Sequence, residues 1–470
     1  MDKQITRRKF FNNTLAASTI LVAPNLSGCD TSSINKRPNI LVIVTDQQSA
    51  THMSCAGNPY LRTPAMDSLA SSGVRFERAY CTDPVCVPSR FSLMTGRMPS
   101  EIGLRSNSST HIDSIPESIK QNGLGHLFKS AGYDVDYGGK VHLPKMKIED
   151  VGFNYICQDE REELASVCAE YIKQPRENPF LLVASFINPH DICRMAIRDF
   201  GGIEHTKRLK KKSVEATLDR ALQLPDGVSR EEFLKDYCPP LPPNFEPQEN
   251  EPEAINQLIT QRPFRKNARE KWTTERWRMH RWAYKRLTEM VDAQIGVVLD
   301  ALRASGKEKD TLVIFTSDHG DMDSAHRLEH KTTFYDEACR IPFIVSWPGV
   351  TSASVVDNQH LISNGLDLIP TLCDFAGIHV PEDLKGLSIR PIVERTEPSS
   401  WRDSLPVESE IGRMIVTHRY KYMKFDEGKN NEQLIDIQSD PGEMQNAAHD
   451  PENTNVLSQH RILFNETFTG

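Results

Sequence analysis

Apolar residues in this chain come in continuous runs rather than in strict alternation. Pro38 to Asp46, PNILVIVTD, is such a run closed by polar residues. It predicts a strand buried on both faces, with Asp46 and Gln47 at its carboxyl end. Phe180 to Ile187, Leu312 to Thr316 and Pro342 to Trp347 are β-branched or apolar and predict further strands. Helical spacing follows at Thr63 to Ser72 and Gly125 to Ala131, and over longer stretches at Arg276 to Ser305 and Leu361 to Ala376. Strands alternating with helices predict an α/β fold, a large mostly parallel sheet sandwiched by helices. Ligands gather at the carboxyl ends of strands in such sheets. Asp46, His190 and Asp318 all fall at or just after predicted strand ends, so one site could collect them.

The pattern changes twice. Residues 195–275 carry a basic cluster (Lys207, Arg208, Lys210, Lys211, Lys212) and a proline-rich stretch from Pro239 to Pro252. They read as an insertion on the rim of the site, a solvated charged surface with a stiffened loop. From about residue 381 to 470 the periodicity turns to two. Arg413 to Phe425 and Glu432 to Ile437 alternate like antiparallel strands, predicting a smaller C-terminal α+β subdomain beside a main domain of residues 36–380. The first 35 residues are set apart from the fold. Thr6-Arg7-Arg8-Lys9-Phe10-Phe11, a weakly apolar run and Leu26-Ser27-Gly28-Cys29 together resemble a bacterial twin-arginine export signal ending in a lipoprotein box. The apolar run is too short to span a bilayer. The expectation is an exported bacterial protein, periplasmic or at the cell surface. Lipid anchoring at Cys29 would be its only membrane contact.

Composition narrows the class. Apolar residues make up 38% and charged residues 26%, as in soluble globular chains. A net charge of -8 argues against nucleic acid as a partner. An anionic substrate would therefore need a local basic pocket. The ten cysteines include no C-x-x-C pair, which argues against a zinc site and against a dense disulfide framework.

The chemistry concentrates in Cys86-Val87-Pro88-Ser89-Arg90-Phe91-Ser92-Leu93-Met94-Thr95-Gly96. This stretch resembles the signature C-x-P-S-R-x-x-L-x-T-G of the type I sulfatases, of the alkaline-phosphatase superfamily, at every fixed position. Seven specified residues arise by chance at a given site on the order of once in a billion. Pro88 suits the first turn of a helix, which would set residue 86 near a helix N-terminus, where partial positive charge favours an anion. Arg90, one turn on, returns to the same face. The resemblance implies that a formylglycine-generating maturation enzyme oxidises Cys86 to 3-oxoalanine (formylglycine), the hydrated form of which is the nucleophile.

The same resemblance implies the rest of the site. Asp46, Gln47, Asp318 and His319 stand where the family places its metal ligands, together with an oxygen of modified Cys86. One divalent ion is expected, calcium first for an oxygen-rich set. Many members have a second aspartate and an asparagine where this chain has Gln47 and His319, which admits manganese or another transition metal. Gly139-Lys140-Val141-His142 matches a lysine-x-histidine element, with His142 taking a proton from the nucleophile and Lys140 holding it. Asn188-Pro189-His190 matches the histidine that protonates the departing alcohol, and Lys331 matches a second sulfate-binding lysine. Asp191 and His326 are weaker candidates. The likeness covers roughly residues 38–450, with 195–275 unmatched. It implies hydrolysis of sulfate esters, and the export signal favours a sulfated carbohydrate, a polysaccharide-derived oligosaccharide, as the substrate. The rival readings are a phosphonate monoester or phosphodiester hydrolase on the same scaffold, and an inactive glycan-binding relative.

Overall fold

The computed structural model describes residues 37–201 and 212–469, apart from 397 and 399. The expected export signal, Cys29 and most of the basic cluster lie outside the described residues. In chain order the first ten strands are β1 (Asn39–Asp46), β2 (Gly73–Phe76), β3 (Ala79–Tyr80), β4 (Asp134–Gly139), β5 (Asn154–Cys157), β6 (Phe180–Pro189), β7 (Thr311–Ser317), β8 (Phe343–Ser346), β9 (Val355–Asp357) and β10 (Ile362–Ser363). Eight of them form one sheet in the order β5-β4-β6-β1-β7-β8-β2-β9, and β3 pairs with β10. The centre is parallel, with β1 between β6 and β7 and β4 beyond β6. Only β8 runs against its neighbours β7 and β2. The predicted mostly parallel sheet is therefore present.

The continuous apolar runs have a direct cause. Successive residues of a strand face opposite sides, and both sides of this sheet are covered. Ile40, Val42 and Val44 pack on one face with Leu368, Ile369 and Leu372 of the helix Asn364–Ala376. Leu41 and Ile43 pack on the other with Val291, Ile295 and Val298 of the helix Thr274–Ala304. The predicted helix Leu361 to Ala376 starts three residues late because Ile362 and Ser363 are taken by β10.

The C-terminal region forms a separate antiparallel sheet, β11 (Ser404–Ser409), β12 (Gly412–Thr417), β13 (Tyr420–Phe425) and β14 (Glu432–Asp436), paired in that order. Val407, Met414, Met423 and Ile435 on one face bury Met322, Phe334 and Tyr335 from the loop after β7. The helix Thr454–Thr469 covers the other face through Leu457 and Phe464, against Ile415 and Tyr422. Among its described residues the stretch expected as an insertion is mostly helical, with Glu253–Gln261 followed by Pro263–Lys271. The second of these packs Phe264 and Ala268 against Ile197 and Trp277.

One backbone position controls how β4 delivers its end. Gly139 has φ 91°, and a Cβ there would run into Ser185 O. That close approach lets Lys140 N–H donate to Ser185 O at 2.9 Å and turns the chain toward the sheet's carboxyl edge. Gly139→Ala is expected to cost about 2 kcal/mol or more, from left-handed backbone strain plus the collision. Chemical denaturation of the purified variant checks this as a lowered midpoint at unchanged slope.

Candidate active site

The signature stretch is almost one complete helix, Cys86–Thr95. Val85 is its extended N-cap and Gly96 its left-handed C-cap at φ 71°, with Gly96 N–H returned to Ser92 O. Glycine suits that C-cap because it pays no Cβ penalty there. Other residues of the stretch have structural reasons too. Leu93, a fixed position, enters the sheet core and Phe91, a variable one, a neighbouring cluster. Thr95 Oγ1 donates to Phe91 O at 2.7 Å, and Ser89 Oγ donates to Asp318 O at 2.5 Å. Cys86 is the first helical residue, so its side chain sits in the positive field of the helix end. The next amide, Val87 N–H, is satisfied by Asn107 Oδ1 at 3.0 Å.

Arg90 ties the site together. Its Nη2 lies 3.0 Å from Asp46 Oδ2 and its Nε 2.8 Å from Asp318 Oδ2. Its Nη1 donates to Lys140 O and Ser185 Oγ, each at 2.8 Å. One guanidinium thus joins the carboxyl ends of β1, β4 and β7 and the middle of β6. Asp46 is also paired with Lys140 Nζ. Burial would lift the Asp46 carboxyl, and so would Cys86, but Lys140, His190 and Arg90 together hold it far below the usual carboxylate range.

Around Cys86 Sγ the structure assembles the expected groups. His319 Nε2 is 3.2 Å away and Lys331 Nζ 2.9 Å. His142 and His190 also stand close enough to Cys86 to act on its thiol. Burial opposes thiol ionisation, but Lys140, Lys331, His319 and His142 bring Cys86 well below the ordinary thiol range. Burial and Lys140 push His190 down to about 3, so its imidazole is neutral in the free protein.

The residues expected to hold a metal also converge. Ligand atoms of Asp46, Cys86, Asp318 and His319 all lie within 4.8 Å of one another. His319 Nδ1 lies 2.9 Å from Gly320 O. With the proton on that nitrogen, Nε2 is left as an acceptor. Gln47 sits at φ 68°, fixed by a bond from its N–H to Asp318 Oδ1 at 3.1 Å and by Tyr284 Oη donating to its carbonyl at 2.7 Å. Its Nε2 donates to Asp321 Oδ2 at 2.5 Å, which turns Oε1 toward Lys331 Nζ at 2.8 Å. One ammonium therefore touches Gln47 Oε1, Cys86 Sγ and His319 Nε2 at 2.8–3.1 Å. Three of the expected donors already converge on a positive charge, so the donor set fits a cation.

The two weaker candidates stay outside this arrangement. Asp191 is held by Arg161 at 2.7 and 2.9 Å, and His326 stacks on Tyr335 at 3.8 Å. Sequence reasoning missed Asn107, Ser185, Tyr284 and Asp321, none of which carries a local motif. It also missed Cys193, whose Sγ lies 3.1 Å from Gln47 Oε1.

With this geometry in hand, comparison with known proteins decides the class. Residues 38–378 match the sulfatase family, and residues 324–467 match the C-terminal region of N-sulphoglucosamine sulphohydrolase. The chain belongs to the sulfatase family. This sulfatase is 32% identical to a delta 4,5-hexuronate-2-O-sulfatase of Bacteroides thetaiotaomicron, over 92% of the chain and 89% of the relative. A solved 2-O GAG sulfatase superposes with a TM-score of 0.79 at 29% identity, covering 92% of each chain. A phosphonate monoester hydrolase of Agrobacterium radiobacter shares the fold at a TM-score of 0.70 and 21% identity, covering 91% of the sulfatase and 95% of that chain. The protein is a sulfatase enzyme.

Arg90→Ala would leave Asp46 and Asp318 buried without their shared cation. Removing one partner of a buried ion pair costs about 3–5 kcal/mol, so denaturant unfolding should show a loss of this size. Arg90→Lys should recover only part of it, because one ammonium cannot serve four acceptors spread over three strands and the turn after β4.

Proposed function

We propose that this sulfatase removes sulfate from a polysaccharide-derived sulfated oligosaccharide, using formylglycine made from Cys86 by a maturation enzyme. The observation that carries the reading is the placement of Cys86. It opens a helix, with two lysines and three histidines converging on its side chain. Sγ of the unmodified cysteine stands where a hydroxyl of the hydrated aldehyde would lie. The hydrate supplies one hydroxyl to attack sulfur and a second whose oxygen expels sulfate, so water need never cleave a stable ester at sulfur.

Asp46, Gln47, Asp318, His319 and residue 86 would hold one divalent ion, calcium by the oxygen-rich set or a transition metal through the His319 nitrogen. Such an ion supplies Lewis-acid charge at a sulfuryl oxygen. The chain's own residues do the rest. Lys140 and Lys331 hold the attacking oxygen ionised and share the charge of the sulfuryl oxygens. His142 takes the proton from residue 86. His190, neutral before substrate arrives, gains a proton as the sulfate's charge enters, and passes it to the departing alcohol oxygen. Most of the rate comes from positioning and charge complementarity.

We also propose that the protein is exported, to the periplasm or cell surface, and tethered by lipid at Cys29. This places the enzyme where sulfated polymers are met. Cys29→Ala expressed in a bacterium should move the protein from the membrane fraction to the soluble one, read by blotting fractionated cells.

The decisive assay is sulfate release, by ion chromatography, from sulfated oligosaccharides, with phosphodiesters and phosphonate monoesters run beside them. Mass spectrometry of the peptide spanning residue 86 first establishes oxidation. Cys86→Ala should abolish turnover while leaving the unfolding transition in place, and near-normal turnover would sink the mechanism. Efficient cleavage of phosphonates without sulfate release would make the rival hydrolase correct. An unoxidised Cys86 with retained glycan binding would make the protein a binder.

A further inference from the structure

Six arginines of the described residues are buried: Arg75, Arg90, Arg97, Arg161, Arg194 and Arg265. Five have a carboxylate within ion-pair distance. Arg75 has Glu77, Arg90 has Asp46 and Asp318, Arg97 has Glu101 and Asp383, Arg161 has Glu160 and Asp191, and Arg194 has Glu215. Arg265, 9% exposed, has none among the described residues. Its one hydrogen bond runs from Nη1 to the carbonyl of Lys331 at 3.3 Å, and its Nε has no partner. Burying a guanidinium this way is costly, and proteins do it where a charge is to be met.

Its position ties it to the site. Arg265 lies near the start of the helix Pro263–Lys271 and is bonded to the backbone of the lysine whose Nζ touches Cys86. His330 is within electrostatic reach of Arg265, Lys331 and His190. The His330 ring leans on Phe264 at 5.2 Å, and its Nδ1 faces Glu329. Arg262 adds positive charge nearby, while Glu410 and Asp321 act on Arg265 from beyond ion-pair range. Burial, then Arg262, brings the Arg265 guanidinium down to about 10, so it remains charged at neutral pH.

We propose that Arg265 is a specificity-determining residue that pairs with a carboxylate on the sulfated sugar, the acid group of a sulfated uronic acid. The planar fork of a guanidinium fits a carboxylate through two parallel bonds. The inference rests on the sulfatase reading and adds a second anionic group to the substrate. Arg265 touches no reacting atom, so its effect is on binding orientation rather than on the bond-breaking step.

The test uses the matured full chain with four substrates: a monosulfated uronate glycoside, its carboxyl methyl ester, a neutral disulfated sugar and a neutral aryl sulfate. Wild type should prefer the free acid over the ester. Arg265→Gln should lose about 30-fold or more in kcat/KM on the free acid, as loss of a buried charge pair commonly does. Its loss on the methyl ester should be at least about tenfold smaller, and Arg265→Lys should restore part of the difference. Equal losses on acid, ester and aryl sulfate would mean that Arg265 only supports Lys331, and would overturn the proposal. Equal wild-type rates on acid and ester would overturn it as well. A selective loss on the disulfated sugar would assign the arginine to a second sulfate instead. Failure of wild type on all four would strike the sulfatase reading itself, before Arg265 is in question.

Discussion

The site depends on one guanidinium bridging two buried carboxylates. Asp46 and Asp318 close adjacent parallel strands, so the sheet brings two negative charges side by side in a dry interior. That arrangement is unfavourable unless a cation stands between them, and Arg90 does so from a helix that the signature sequence builds. The same side chain also bonds the Lys140 carbonyl and Ser185, which carries the constraint to β4 and β6. Cys86, the lysines and the carboxylates therefore share one rigid frame. A small error in that frame would matter, since reacting groups must be held to a fraction of an ångström.

Charge within the pocket runs opposite to charge on the whole chain. Two carboxylates face Arg90, Lys140 and Lys331, a local excess of one positive charge before any metal is counted, on a chain of net charge -8. An anion is thus attracted only at short range, where the helix end at Cys86 adds to the field. The C-terminal sheet contributes here through the loop after β7. Ser409 Oγ donates to Thr332 O at 2.6 Å, and the β11–β13 face buries Phe334 and Tyr335. Lys331 is consequently held by a sheet that contains none of the proposed catalytic residues.

What was legible in the sequence was local. Cys86 to Gly96 encodes its own helix, from the N-terminal cysteine to the C-capping glycine, and its register places Arg90 where it must act. Asp46 and Asp318 were legible because a buried strand of continuous apolar residues announces its polar end. The pairs of β-strands after Arg413 were legible by alternation, although the turn at His418 and Arg419 divided one predicted run into β12 and β13. Short strands such as β2 and β9 were not, since three or four residues carry no periodicity. Gln47 shows the deeper limit. Its role depends on Asp321, Tyr284 and Cys193, which are remote in sequence and give no spacing to read. Arg265 was invisible for another reason. Its importance lies in the carboxylate it lacks, and an unpaired charge is defined only once every neighbour has a place.

The same site raises a question of selectivity that its catalytic groups cannot answer. A sulfate monoester, a phosphonate monoester and a phosphodiester each present a tetrahedral centre carrying one negative charge near neutral pH. Lys140, Lys331 and the helix end would complement all three. Discrimination must then come from groups that meet the rest of the substrate, the part proposed for Arg265. A buried cation that finds its partner only on the correct sugar makes selectivity a difference between a satisfied and an unsatisfied charge, which is larger than any difference in fit around the sulfuryl oxygens. On this argument the reaction class is set by the helix at Cys86 and the sheet edge, and the substrate by the helical stretch that carries Arg265.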